Sequence, residues 1–324
     1  MYNKERTVAR TIKSILEQTF QDWRLIIVDD GSTDGSLSAV REFTDPRIEI
    51  IEQENQGPGP ARNTGIKAAT AEYVAFLDAD DEWYPWYLEN SLKAFDGQEV
   101  AMVAAMYKQW PEGKDMTAFW ASRNVRPGVH EFNINSRPKE VYSHLSFTLA
   151  WNTIVRTSDA VECGGFYDDE KCLLCEDTVF FAKLIFSKKF AIIGPAAVRH
   201  NFQDSELSNI KDRPIAVFLH KPDIILRFLP QEKREFAEKI LAWQALRVAH
   251  YCARSGKKAD ACYLKERFPL MRQFKALYLR LCVEIFCSRC LRHWVNFKCL
   301  VGPPVRAWLR KRFCRNEAVQ KEDK

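Results

Sequence analysis

The chain has 324 residues, 46% of them hydrophobic and 28% charged, the balance of a folded globular protein rather than a disordered one. No stretch of about 20 residues is free of charge, which argues against a membrane-spanning helix. The formal charge of +5 conceals an asymmetry: residues 269–324 hold thirteen Lys/Arg against four Asp/Glu, which leaves residues 1–268 net acidic. The opening MYNKERTVAR lacks the apolar core of a secretory signal, so the ten cysteines read as reduced, packed thiols of a cytoplasmic protein. Two Cys-x-x-Cys pairs, Cys172/Cys175 and Cys287/Cys290, have zinc-site spacing locally but lie too far apart in sequence to favour a shared ion.

Val8, Ile12, Ile15 and Leu16 recur at helical spacing, and Leu25–Val28 is a short apolar run that ends in Asp29-Asp30-Gly31-Ser32. Ser32 is placed to cap a helix with Leu37 and Val40 inward, and residues 47–51 alternate as a strand does. The turn-rich NQGPGP (residues 55–60) leads into a helix over 61–69. Residues 73–77 read as a strand, 85–95 as a helix and 100–106 as another strand. Residues 107–150 have no clear period, 177–186 read as a helix and 190–193 as a strand. From Pro214 the pattern is helical almost to the end, with breaks at Ser255-Gly256 and Gly302-Pro-Pro304. Strand–helix alternation with fully apolar strands predicts an α/β fold, a mostly parallel central sheet flanked by helices. Residues 1–213 form the expected catalytic domain and 214–324 a helical, basic extension. Ligands of such sheets collect beyond the carboxyl ends of the strands.

At one of these ends, YVAFLDADDEW passes from apolar to acidic within one residue. Carboxylates crowded this closely repel one another, and a divalent cation shared with a diphosphate would relieve that repulsion. A lone Asp-x-Asp is more often a solvated turn. Here it is accompanied by Asp29-Asp30 at a second strand end, by a glycine-rich loop carrying Arg62, and by Glu176-Asp177 at a helix start, where a carboxylate can serve as general base.

YNKE, VDDGSTDGS, NQGPGPARNTGI, FLDADD, GGF and CEDTVFFAKL resemble the successive motifs of inverting family-2 glycosyltransferases with the GT-A fold, over roughly residues 1–205. The resemblance implies that Tyr2 packs on the nucleotide base, with Glu5 of the same motif counted among the donor-binding residues. It implies that Asp30, beside Asp29, bonds the base edge, and that Arg62 lies near the nucleotide. Asp78 would reach the ribose and Asp80 would bind Mn²⁺ or Mg²⁺, with His200 a second candidate for the metal. Asp177 would deprotonate the acceptor hydroxyl, with Glu176 orienting the acceptor. The implied donor is a nucleotide sugar, a UDP-sugar foremost, and the acceptor a saccharide or a lipid-linked one in surface polysaccharide or glycolipid assembly. In that family an apolar strand precedes the YN motif, and this chain starts at the motif. The expectation is that the true start lies upstream, the alternative being a chain that lacks a central strand.

The segment 269–315 places Leu270, Leu277, Leu281, Ile285, Trp294 and Trp308 among many Lys and Arg, a composition suited to a bilayer interface. This predicts peripheral attachment to the cytoplasmic face of the inner membrane; nucleic acid is not expected as a partner, because no nucleic-acid fold accompanies the segment. Two other classes remain, a sugar-phosphate nucleotidyltransferase and a non-catalytic nucleotide-sugar-binding relative. The first would carry a glycine-rich motif with Arg or Lys near its start, which is absent.

Overall fold

The computed structural model describes residues 1–169, 171, 172, 174–204 and 214–285. Helix α1 (Val8–Leu16) buries Val8, Ile12 and Ile15, of which Val8 and Ile12 pack with Ile27 and Val40. Strand β1 (Leu25–Asp29) precedes helix α2 (Ser36–Arg41), which starts later than Ser32. The Ser32 hydroxyl is engaged by Asp29, and it is Asp34 whose carboxylate accepts the Ser36 amide. Strand β2 (Ile48–Glu52) runs parallel to β1, pairing Leu25 with Ile48 through Asp29 with Glu52. Helix α3 (Pro58–Ala68), strand β3 (Tyr73–Ala75), strand β4 (Glu82–Trp83) and helix α4 (Tyr87–Lys93) follow.

Strand β5 (Met102–Trp110) is the central strand, with Met102 to Met106 almost fully buried. The stretch without clear period contains strand β6 (Lys114–Asp115), helix α5 (Thr117–Ala121), strand β7 (Gly128–His130) and helix α6 (Pro138–Phe147). Strand β8 (Thr153–Arg156), helix α7 (Thr157–Glu162), helix α8 (Glu176–Ser187) and strand β9 (Phe190–Asn201) complete the sheet region. The larger sheet has the order β3-β8-β5-β9-β4, with β6 on β5 and β7 on β9.

The expected parallel pairing is found between β1 and β2 and between β5 and β9, whereas β3–β8, β8–β5, β9–β4, β5–β6 and β7–β9 are antiparallel. The sheet is therefore mixed rather than mostly parallel. An antiparallel pair needs no long crossover, so β6 folds back on β5 through a short turn, whereas β4 and β7 meet β9 in the opposite direction from distant parts of the chain. Strand β9 outruns the expected residues 190–193 because it follows β5 along its whole length, past an irregularity between Ala105 and Tyr107.

Helix α8 carries an aromatic core onto the sheet. Phe180 stacks on Phe166 at 4.2 Å, and Phe76 meets Phe166 edge-on at 5.0 Å. Each such ring, fully buried, contributes about 1.5–3 kcal/mol. Beyond the sheet come helix α9 (Val217–His220), helix α10 (Asp223–Leu226), helix α11 (Gln231–Arg254) and helix α12 (Lys258–Arg267), and residues 275–285 are helical. The chain divides into two compact units, Met1–Leu241 and a second that begins at Ala242. The first unit continues past residue 213 because α10 packs on α8 and the Phe228 ring lies against Gly164. In the second unit Glu284 is buried; Arg254 and Arg280 donate to its carboxylate, and His250 Nδ1 lies 2.7 Å away. Among the described residues no helix is long and apolar enough to cross a membrane.

Candidate active site

The turn after β1 is built around Asp30, which is 3% exposed. Its carboxylate accepts the Gln53 side-chain amide at 2.7 Å, the Gln56 amide at 3.0 Å and the Gly57 amide at 2.8 Å. A carboxylate has about four lone-pair positions, so most of its accepting capacity is spent on its own loop. Asp29 is likewise occupied, by the Ser32 hydroxyl at 2.5 Å.

The loop held by Asp30 delivers α3 to the site. Gly59 is required there: a Cβ would stand 2.2 Å from the Tyr167 carbonyl oxygen. This close approach brings the first turn of α3 to the first turn of α8. Arg62 spans the gap, donating Nη1 to Glu176 Oε1 at 2.6 Å and Nη2 to Asp78 Oδ1 at 2.8 Å. Its planar fork suits two carboxylates at once. Burial opposes its charge, but Asp78 and Glu176 outweigh it and raise the pKa above the ordinary arginine value.

Asp78, Asp80 and Asp81 bring carboxylate oxygens within 4.8 Å of one another. Each is engaged by a basic side chain from a different element. Asp78 has Arg62, Asp80 has the Lys4 ammonium at 2.8 Å, and Asp81 has His200 Nδ1 at 3.2 Å together with the Asn201 amide at 2.7 Å. Burial raises the pKa of Asp81 to about 6 despite His200. Burial and repulsion by Asp78 raise that of Asp80, against the pull of Lys4. His200 lies flat on Trp151 at 4.5 Å, and the Asp81 contact outweighs burial to raise its pKa. The backbone of this turn is latched to α1: Thr7 donates to the Ala79 carbonyl, Arg10 to Asp80 and Thr11 to Asp81, all at 2.7–2.8 Å. A donor set of oxygens alone, with charge left to neutralise, fits a hard divalent cation such as Mg²⁺ or Mn²⁺. Among the described residues it is the only such grouping of His, Cys, Asp or Glu; Cys287 and Cys290 lie outside them.

Helix α8 presents Glu176 and Asp177 in its first turn. Glu176 is 5% exposed and held by Arg62; Asp177 is partly exposed and accepts the Thr178 amide at 2.6 Å. Burial first, then the Glu176 carboxylate, raises the pKa of Asp177 to about 7, with Arg62 pulling the other way. One clamp ties this helix to the preceding loop, and a second ties that loop to α3. The buried Lys183 donates to the Cys163 and Gly165 carbonyls, each at 2.8 Å. Asn63, next to Arg62, accepts the Phe166 amide at 2.8 Å and donates to the Phe166 carbonyl at 2.9 Å. A Cβ at Gly165 would stand 2.4 Å from Asn63 Oδ1, so the loop accepts only glycine at that point.

Of the residues singled out from the sequence, Arg62, Asp78, Asp80 and Glu176 converge, with Asp177 beside Glu176. His200 stands next to the three carboxylates as the partner of Asp81, not as one of them. Glu5 is turned to α2, where it accepts the Gly35 amide at 2.8 Å, and Tyr2 is 46% exposed. Lys4, Asn63, Asp81, Trp151 and Lys183 were not singled out as site residues. Lys4, Asn63, Asp81 and Lys183 sit inside YNKE, ARN, DADD and CEDTVFFAKL, whereas Trp151 follows a stretch without a readable period.

Residues 1–154 match the sequence model of Glycosyl transferase family 2. An uncharacterized glycosyltransferase of Nostoc sp. is 46% identical over 105 residues, 32% of this chain and 33% of that protein. The Escherichia coli UDP-Glc:alpha-D-GlcNAc-diphosphoundecaprenol beta-1,3-glucosyltransferase WfgD is 36% identical over 108 residues, 33% of this chain and 43% of that protein. The chain thus spans less than half the length of either relative. The structure of Staphylococcus aureus TarS 1-349 in complex with UDP-GlcNAc shares the fold, with a TM-score of 0.61 at 20% identity over 75% of this chain and 68% of that one. The chain thus resembles Glycosyl transferase family 2 over residues 1–154 and shares with TarS a helix-flanked sheet on which these motifs are gathered.

Proposed function

We propose that this protein is an inverting glycosyltransferase that moves a sugar from a nucleoside-diphosphate donor, a UDP-sugar, to an acceptor hydroxyl. The observation that carries the reading is the Arg62 bridge, which ties Asp78 of the carboxylate cluster to Glu176 at the start of α8. Donor-side and acceptor-side carboxylates thereby stand within the reach of one side chain.

Asp80, with Asp78 and Asp81 beside it, would hold a divalent ion, which when bound offsets negative charge on the departing diphosphate. Asp177 accepts the proton of the acceptor hydroxyl as that oxygen bonds to the anomeric carbon. The bond from that carbon to the diphosphate oxygen breaks in the same displacement, and the nucleoside diphosphate leaves with the electron pair. A single displacement inverts the anomeric centre and needs no nucleophile from the protein. A base with a pKa near 7 is well matched to this transfer at neutral pH. Glu176, paired with Arg62, positions the acceptor. Tyr2, Asp29 and Asp30 belong to the donor side through the resemblance of their motifs, and Asp30 shapes the loop that carries Arg62.

The UDP-Glc donor of WfgD and the UDP-GlcNAc bound to TarS support a UDP-sugar donor, and the diphosphoundecaprenol-linked acceptor of WfgD supports a lipid-diphosphate-linked acceptor. Incubation with a panel of UDP-sugars and Mn²⁺, followed by NMR of the product, tests the reading. An α-linked donor is expected to yield a β-glycoside; an α-glycoside would overturn inversion. Peripheral membrane binding is part of the same reading. Leu270, Leu277, Leu279 and Val283 are exposed near Arg272, Lys275 and Arg280, while residues 286–324 lie outside the described chain. Flotation is expected with anionic vesicles and to be lost on deleting residues 269–324; equal binding to neutral vesicles would refute the electrostatic part.

A further inference from the structure

Residues 1–5 run beside the turn that follows β1 and are laced to it at several points. The Met1 nitrogen donates to the Val28 carbonyl at 2.7 Å, and the Met1 carbonyl accepts the Asp30 amide at 2.8 Å. Asn3 donates its amide to the Ser32 hydroxyl at 3.1 Å, and its side-chain oxygen accepts the Thr33 amide at 2.9 Å. Glu5 donates its amide to Asp34 at 3.2 Å and accepts the Gly35 amide at 2.8 Å. Tyr2 is set between the first two of these pins, next to the Met1 carbonyl that meets Asp30, and is 46% exposed. Asn3 has a φ of 50°, in the left-handed region that most side chains avoid and asparagine tolerates. The bond from Thr33 helps to hold that conformation, and the conformation sets how the preceding residue leaves the turn.

We propose, on the reading of Tyr2 as the residue that packs on the nucleobase, that Asn3 is a positioning residue for the donor. Its left-handed backbone and its bond to Thr33 fix where Tyr2 stands before a nucleotide arrives. The aromatic ring is thereby pre-organised, and less ordering is left for the binding step. Asn3 acts on affinity for the base, through Tyr2, and not on the displacement itself.

The test is calorimetry of UDP and of inorganic pyrophosphate, each with Mn²⁺, on the full chain. Tyr2→Ala is expected to weaken UDP about 5- to 150-fold, the scale of one base–aromatic stack. Asn3→Ala lacks the acceptor for Thr33 and disfavours a positive φ; it is expected to weaken UDP by up to about 30-fold, and by no more than Tyr2→Ala does. Asn3→Gly adopts the conformation freely but lacks the acceptor. It is expected to fall between Asn3→Ala and the parent, and it serves as the test where the alanine variant does not fold. Pyrophosphate binding should be unchanged in all three. With Tyr2 already replaced by alanine, Asn3→Ala should weaken UDP no further, the mark of two residues acting as a unit. If Tyr2→Ala weakens UDP but Asn3→Ala does not, or weakens it as much with the ring absent, or weakens pyrophosphate equally, the positioning role is overturned and the base-packing reading of Tyr2 stands. If Tyr2→Ala binds UDP as the parent does, that reading falls and the Asn3 proposal falls with it.

Discussion

Asp30 and Asp80 both stand just beyond an apolar strand, and both are almost fully buried, yet their negative charge is met in opposite ways. Around Asp30 the donors are amides, two of them from the backbone of the loop it shapes. Around Asp80 and its neighbours the partners are mainly basic side chains brought in from the N-terminal segment, α3 and β9. A carboxylate fed by its own backbone is a structural pin. One met by basic side chains is held from distant parts of the chain. The first turn of α8 repeats the contrast at one-residue spacing, with Glu176 locked to Arg62 and its neighbour Asp177 left to titrate near neutrality.

The sharpest way to break this division is Asp177→Asn, which keeps the shape and removes the base. Turnover should fall about 10²–10⁴-fold, with donor affinity by calorimetry unchanged; an unchanged rate would remove Asp177 from the chemistry. Arg62→Met strikes the bridge between the two halves. Stranding the partner of a fully buried pair costs ~3–5 kcal/mol. Because the Asp78 side chain is 36% exposed, screening lowers the expectation to about 2–3 kcal/mol by chemical denaturation. A stability equal to the parent's would show that the bridge does not hold the cleft.

Acidity probes the same contrast more gently. The base must be ionised to act, and the pKa of Asp177 is raised, so activity is present above about 7 and declines as pH falls below it. The decline should approach about tenfold per pH unit, and a rate still flat down to pH 5 would contradict it. The smallest effect is expected on the pinned side. Asp30→Asn can keep the Gln53 and Gln56 bonds but sets its amide against the Gly57 N–H, for a cost of about 1–3 kcal/mol. Hydrogen exchange at the Gly57 amide should quicken in that variant; unchanged protection would mean the loop is held by something else.

Much of this was legible from local pattern. The stripe of Val8, Ile12 and Ile15 and the apolar run at residues 25–28 appear where local pattern put them, and the helix expected over 61–69 is found starting three residues earlier, at Pro58. Residues 107–150 were not legible, since α5 and β7 are too short to establish a period and their aromatics pack on other elements. Strand direction also escaped. An apolar run is the same text read beside a parallel or an antiparallel neighbour, and only the pairing of β8 with β5 and β3 resolves it.

By itself the sequence determined which residue types end each strand and open each helix, because those depend on neighbours a few positions away. Acids after apolar runs, glycine where the backbone must pass closely and a carboxylate pair at the start of α8 are all of this kind. Which cation meets which carboxylate was decided only in three dimensions. Arg62 reaches Glu176 across 114 positions and Lys4 reaches Asp80 across 76. Such pairings carry no period along the chain; they arise when the glycine-tight contact between α3 and the 163–168 loop brings two distant turns within the reach of one side chain.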